Sequence, residues 1–251
     1  MIDYQAIDFS WRKNDLSIFL PVILTLISFV IYWFTTQSAR LKLRFYNRFD
    51  ADHASAYHIT FNRVVGFVVL GVIPVVISLI FLPEFSLANY GLTIRTETSL
   101  FSAVWIIGLA FVIVPLAYFS AKKPKNLLNY PQIRSKIWTK NLVLINAFGW
   151  ALYLLGYELL FRGVLLIPLA GQLGVWPAVA VNISLYSATH IPKGLGETIG
   201  AIPFGLVLCI LTLASGTIWI AFFAHLIMAL TSSFASLKFN PEMKYLKSKT
   251  D

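Results

Sequence analysis

Few residues in this 251-residue chain are equipped for acid–base chemistry, and those few stand inside apolar sequence. Glu158 and Arg162 occur in Tyr157-Glu-Leu-Leu-Phe-Arg-Gly163. His190 lies in Leu185-Tyr-Ser-Ala-Thr-His-Ile-Pro192, and His225 in Ala221-Phe-Phe-Ala-His-Leu-Ile-Met-Ala229. Ionisable groups within membrane spans are costly and mark functional sites by default. The spacing of Glu158 and Arg162 puts both on one helix face, where they pair. A glutamate can take a proton from water as a general base. One histidine can orient that water or donate a proton, and the other can bind a carbonyl oxygen as it becomes negative. These are the parts needed to hydrolyse a peptide bond. Blander roles stand beside that reading: a neutralising Glu–Arg pair that fixes packing, a His190 that caps a helix, a His225 bonded to a nearby carbonyl. Glu158, His190 and His225 would also serve as three zinc ligands with water in the fourth position. No His-Glu-x-x-His signals that metal, and no cofactor is expected.

These residues need elements to hold them, and composition says which. Hydrophobic residues make up 58% of the chain and charged residues 12%, about half the usual charged share. Mean hydropathy is +0.74. A water-soluble globule, a disordered chain and a nucleic-acid module are excluded, so the partner is the lipid bilayer and not nucleic acid. A span takes about 20 apolar residues. The apolar runs are 16–35, 64–82, 100–120, 141–170, 175–190, 199–214 and 217–235. Backbone groups in lipid must be satisfied within the segment, so the runs read as helices, and no alternating pattern suggests a barrel. The expected fold is an all-α polytopic transmembrane bundle of about seven spans. Cys209 stands alone, so no intrachain disulfide forms.

Loop charge orients the bundle. Arg40, Lys42, Arg44, Arg48 and Arg63 fall between the first two runs. Lys122, Lys123, Lys125, Arg134, Lys136 and Lys140 fall between the third and fourth. Lys238, Lys244, Lys247 and Lys249 follow the last run, and Lys193 follows the fifth. Segment 83–99 carries only Arg95, and the head only Arg12 and Lys13. This places the N-terminus outside and the C-terminus inside, with the basic loops facing the inner leaflet's negative charge. Asp3, Asp8 and Asp15 in the head argue against a secretory signal. The chain reads as a multi-pass plasma-membrane protein in three parts. Residues 1–140 carry spans with basic loops, 141–236 hold most buried polar residues, and 237–251 form a basic tail.

Glu158-Leu-Leu-Phe-Arg162-Gly163, the aromatic-x-x-x-His of Tyr186 to His190, and His225 come in an order and spacing that resembles the CAAX-protease and bacteriocin-processing family of intramembrane endopeptidases, which includes the CAAX prenyl endopeptidase of the Rce type and the lysostaphin-resistance-protein-like proteins. Ile191-Pro-Lys-Gly194, Ala201-Ile-Pro-Phe-Gly205 and Ser215-Gly-Thr-Ile-Trp219 add to it. The resemblance covers roughly 141–236. It implies a site in a membrane cavity, a membrane-associated and in some members prenylated protein or peptide as substrate, and water activated by glutamate and histidine without metal. The family pattern is Glu-Glu-x-x-x-Arg, Phe-x-x-x-His and His-x-x-x-Asn or Asp. Here Tyr157 stands for the first glutamate, Tyr186 for the phenylalanine and Ala229 for the asparagine. Loss of the first glutamate removes the residue expected to be the base, and a neighbouring helix position points about 100° away. A relative that no longer cleaves, acting as a binding, scaffold or bacteriocin-immunity protein, is the alternative. A transporter or proton relay is a third reading, which no inverted repeat supports.

Catalytic roles therefore fall to Glu158, His190 and His225, with Arg162, Tyr157, Tyr186 and Asn182 supporting them. Asn182 precedes His190 by two turns and either joins the site or satisfies helix packing. Glu197 reads as a solvated helix-start residue. Depth sets a condition. Glu158 lies about 17 residues into its run and His190 ends its own, a mismatch of roughly 25 Å for straight helices. The two meet only if 141–149 lies at the interface, or if the run tilts or breaks. Gly149 and Gly156 would permit bending, and Trp150 and Tyr153 would mark an interface.

Overall fold

A chain that enters lipid must close its own backbone hydrogen bonds, and here 77% of it is helical. The computed structural model describes residues 8–12 and 14–246. Asp3, Lys13, Lys247 and Lys249 of the charge pattern lie outside them. The helices are α1 (Asp15–Thr36), α2 (Ala39–Tyr46), α3 (Ala51–Phe81), α4 (Thr96–Ser120), α5 (Lys140–Leu173), α6 (Val175–Ala188), α7 (Leu195–Ser215) and α8 (Trp219–Phe239). All but α2 and α6 are long and apolar enough to cross a membrane. The run 175–190, expected as a span, forms only the 14 residues of α6. That is about 21 Å of helix against a hydrocarbon layer of about 30 Å.

Exposure separates the lipid-facing helices from the central one. On α4, Leu100, Val104, Ile107, Phe111, Leu116 and Phe119 all point outward. Such a stripe is stable only against another apolar phase. In its most apolar stretch α4 is 11% buried, whereas the corresponding stretch of α5 is 78% buried. The polar residues of 141–170 are thus carried by the helix most enclosed by others.

Close packing of α5 on α3 depends on glycine. A Cβ at Gly156 would lie 2.8 Å from the Cα of Phe67, and one at Gly71 would lie 2.7 Å from the Cα of Gly156. Small residues of this kind let two helix backbones touch. At this crossing α3 widens into a π-helical segment, Phe67–Val72, and just beyond it α5 does the same over Leu159–Leu166. Gly149 and Gly156 are contact points, against the Arg63 side chain and against α3. The departure from regular α-helix comes after Glu158.

The basic segments meet at one end. The backbone N–H of Lys136 donates to both oxygens of the Asp52 carboxylate, at 3.0 and 3.1 Å, and that of Arg134 to Ser55 Oγ at 2.7 Å. The two-residue strands β1 (Ile137–Trp138) and β2 (Lys244–Tyr245) pair in parallel there. Beneath them Ala56, Ile133, Trp138 and Met243 form a small core. Arg63 departs from the charge pattern. It belongs to no loop but to the interior of α3, only 3% exposed. The reason is the early start of α3. The Asp50 carboxylate accepts from the N–H groups of Asp52 and His53, both at 3.2 Å, so the helix begins thirteen residues before the apolar run at 64.

Gly156→Leu should lower stability by about 1–3 kcal/mol or more, because the clash is with backbone that cannot rotate away. Gly108→Ala, with nothing within 4 Å of the added carbon, should be neutral. Thermal unfolding of both variants in detergent checks this.

Candidate active site

Three segments deliver the polar side chains to one place. The hairpin of α5 and α6 turns at Gly174, whose φ of 83° suits glycine. Glu158 lies sixteen residues before that turn and His190 sixteen after it. Antiparallel helices of equal length bring their ends level. The depth mismatch disappears because α6 is too short to leave the bundle, so its C-terminal end, with Tyr186, Thr189 and His190, stops inside. On the third segment, α8, His225 packs at right angles to the ring of Phe204 from α7, with centroids 5.3 Å apart.

The charges are enclosed. Glu158 and Arg162 are both 0% exposed, and His225 is buried beside them. His225 Nδ1 stands 2.6 Å from Glu158 Oε1, and Arg162 Nε stands 3.4 Å from Glu158 Oε2. Neither N–H points squarely along its contact, so charge attraction outweighs hydrogen-bond alignment. The Arg162 guanidinium also lies over the Tyr186 ring, 4.5 Å from its centroid. Glu158 is flanked by a cation on one oxygen and an imidazole on the other, out of contact with bulk water.

Tyr186 ties the two histidines together. Its hydroxyl is 3.0 Å from His225 Nε2, and its backbone carbonyl is 3.0 Å from His190 Nδ1. A carbonyl only accepts, so His190 carries its proton on Nδ1 and leaves Nε2 with a free lone pair. Thr189 Oγ1 donates to the same carbonyl at 2.7 Å and therefore accepts from the Tyr157 hydroxyl at 3.1 Å. The Tyr186 ring packs where Gly205 has no Cβ; one there would lie 2.9 Å from Cδ1.

Asn182 stands behind the site. Its Nδ2 donates to the Phe161 carbonyl at 2.5 Å, and its Oδ1 accepts from Cys209 Sγ at 3.1 Å. It braces the π-helical segment, whose altered pattern frees carbonyls for outside donors. Ala229 packs among Trp150, Leu154 and Phe222, offering no polar group. Trp150 is no interface marker. It is buried, donating to Ser233 Oγ at 3.1 Å. Tyr153 likewise faces inward, against Tyr32 and Tyr157. Glu197 sits exposed in the first turn of α7, 4.0 Å from Lys193. Thr189 was given no role by the sequence, and Phe204 and Gly205 entered only within the Ala201-Ile-Pro-Phe-Gly205 stretch of the resemblance, without a place in the site. Thr189 carried a signal, a hydroxyl beside His190 at the end of an apolar run.

Among the described residues no group of three or more His, Cys, Asp or Glu side chains could hold a metal ion.

Fold and site together define a polytopic helical membrane protein with a buried acid–histidine cluster. Residues 138–231 match the family model for type II CAAX prenyl endopeptidase Rce1-like proteins, which bears out the resemblance over the part of the chain that carries Glu158, His190 and His225. No curated protein and no solved structure matches the chain.

Glu158→Gln should cost about 3–5 kcal/mol, since it leaves Arg162 charged and unpaired in the interior. Adding Arg162→Met should restore much of that loss. A double-mutant comparison by thermal unfolding checks it.

Proposed function

We propose that this chain is an intramembrane endopeptidase of the CAAX type, hydrolysing a peptide bond of a membrane-associated, in some cases prenylated, protein or peptide at the plasma membrane. The observation that carries the reading is the bridge through Tyr186 between His190 and His225, with Glu158 against the far side of His225. It lies within the segment that matches the family model.

On this reading the work divides as follows. His190 Nε2, free and on a half-buried residue, takes a proton from water. The water oxygen attacks the carbonyl carbon, and negative charge moves to the carbonyl oxygen. A His225 imidazolium is stabilised by Glu158 on Nδ1 and donates through Nε2 to the Tyr186 oxygen, so that the tyrosine O–H is left for the oxyanion. His190 then passes its proton to the departing nitrogen, and the C–N bond breaks. Glu158 thereby serves as a positioning carboxylate and not as the base, because its oxygens face Arg162 and His225. This arrangement also accommodates Tyr157. No carboxylate is needed at position 157 when His190 holds its own tautomer through a backbone carbonyl. The reaction is proposed without metal or cofactor.

His190→Ala should lower cleavage by about 10²–10⁴-fold, and Tyr186→Phe by about 10²–10³-fold. The measurement is hydrolysis of an internally quenched prenylated peptide by the full chain in nanodiscs. Undiminished cleavage by His190→Ala would sink this division of roles.

A further inference from the structure

Among the described residues Arg63 is the buried cation besides Arg162, and it differs from Arg162 in having no counter-charge among them. Among the described residues no carboxylate comes within ion-pair distance of it. Its contacts are neutral. Nη1 donates to the Asn146 carbonyl at 2.9 Å and to Asn146 Oδ1 at 3.1 Å, and the guanidinium lies 4.3 Å over the Trp150 ring. Nη2 reaches only Gln132 Oε1, at 3.3 Å, on a half-exposed loop residue. Nε has no partner, nor does Nδ2 of the fully buried Asn146.

Burying a charge without an opposite one is costly, and orphaned buried donors add to that cost. The unfilled donors are of one kind. Nε and Nη2 form one edge of the guanidinium, the planar fork that binds a carboxylate or phosphate through two parallel hydrogen bonds. Nη1, on the other side, is already held by Asn146. Trp150 and Asn146 thus fix the plane of the guanidinium, and on the Nε–Nη2 edge its one hydrogen-bond partner among the described residues is Gln132 Oε1, at 3.3 Å.

We propose that Arg63 and Asn146 form a binding site for a single oxyanion, a carboxylate or a phosphate, which displaces Gln132 and bonds to Nε and Nη2. The oxyanion is the counter-charge that the described residues do not supply. Asn146 lies twelve residues, roughly 18 Å, along α5 from Glu158. A peptide held there by its terminal carboxylate would run along α5 toward the histidines. That last consequence rests on the peptidase reading, whereas the oxyanion site does not.

The test measures binding and involves no cleavage. The full chain in phosphatidylcholine nanodiscs is unfolded thermally with an N-acetylated apolar tripeptide bearing a free carboxylate, and with the same tripeptide as its C-terminal amide. The carboxylate should raise the unfolding temperature progressively with concentration, and the amide should bind at least about tenfold more weakly. Asn146→Asp, the same size, supplies an internal carboxylate against Nη1. It should be more stable without ligand and should lose the response. Gln132→Ala clears the fork and should strengthen binding. If only nanodiscs containing phosphatidylglycerol stabilise the protein, and Asn146→Asp abolishes that, the oxyanion is a lipid phosphate and the site stands. If neither anion stabilises the chain, or if the response survives Asn146→Asp or is not strengthened by Gln132→Ala, the proposal is overturned.

Discussion

A carboxylate with no access to water must find its balancing charge within the protein. Glu158 is in that position, and much of the bundle can be understood as the means of meeting it. Arg162 comes from the next turn of the same helix, so its supply is local and was written in the i, i+4 spacing. His225 comes from α8, 67 residues later, so its supply depends on the whole fold. The enclosure of α5, its glycine contact with α3, and the widened segment after Glu158 all belong to holding these three groups together away from lipid. Replacing such a cluster by apolar side chains often costs a protein nothing. Its presence at the centre of a membrane bundle therefore points to chemistry more than to stability.

The acid–base residues were legible because lipid makes them rare. Glu158, Arg162, His190 and His225 stood out as ionisable groups in apolar runs, and the structure gathers them. What hydropathy could not show is which neighbour a residue has. Trp150 and Tyr153 look like interface anchors by type, yet they face inward because Ser233, Arg63 and Tyr157 lie opposite them. Arg63 looks like a loop charge because the apolar run begins only at 64, yet an aspartate cap thirteen residues upstream starts the helix early. The depth mismatch between Glu158 and His190 had the same origin. It assumed that every apolar run is long enough to cross the membrane fully, and the helix α6 has only 14 residues.

That shortness matters for the site. A helix of full length would carry His190 to the surface, where a histidine is simply a solvated base. Stopping at 188 leaves the end of α6 within the bundle, and the last backbone carbonyls of a helix lack intrahelical partners. The Tyr186 carbonyl is such a group, and it is met by Thr189 Oγ1 and His190 Nδ1. The same unsatisfied carbonyl that ends the helix thereby decides which nitrogen of His190 bears the proton.

Tyr157 and Ala229, where the chain departs from the family pattern, follow different logics. Ala229 is absorbed into an apolar cluster with Trp150, Leu154 and Phe222, and no polar group replaces what an asparagine there would offer. Tyr157 joins the polar network instead. Its ring packs on Phe161, Tyr186 and His225, and its hydroxyl donates to Thr189, which in turn bonds the carbonyl that orients His190. A phenol is a poor base near neutral pH, so it does not substitute for a glutamate chemically. It substitutes structurally, filling the volume while keeping one directed hydrogen bond to the segment that carries the histidine. In the mechanism proposed above, the proton-accepting role passes to Nε2 of His190, which no hydrogen bond among the described residues occupies.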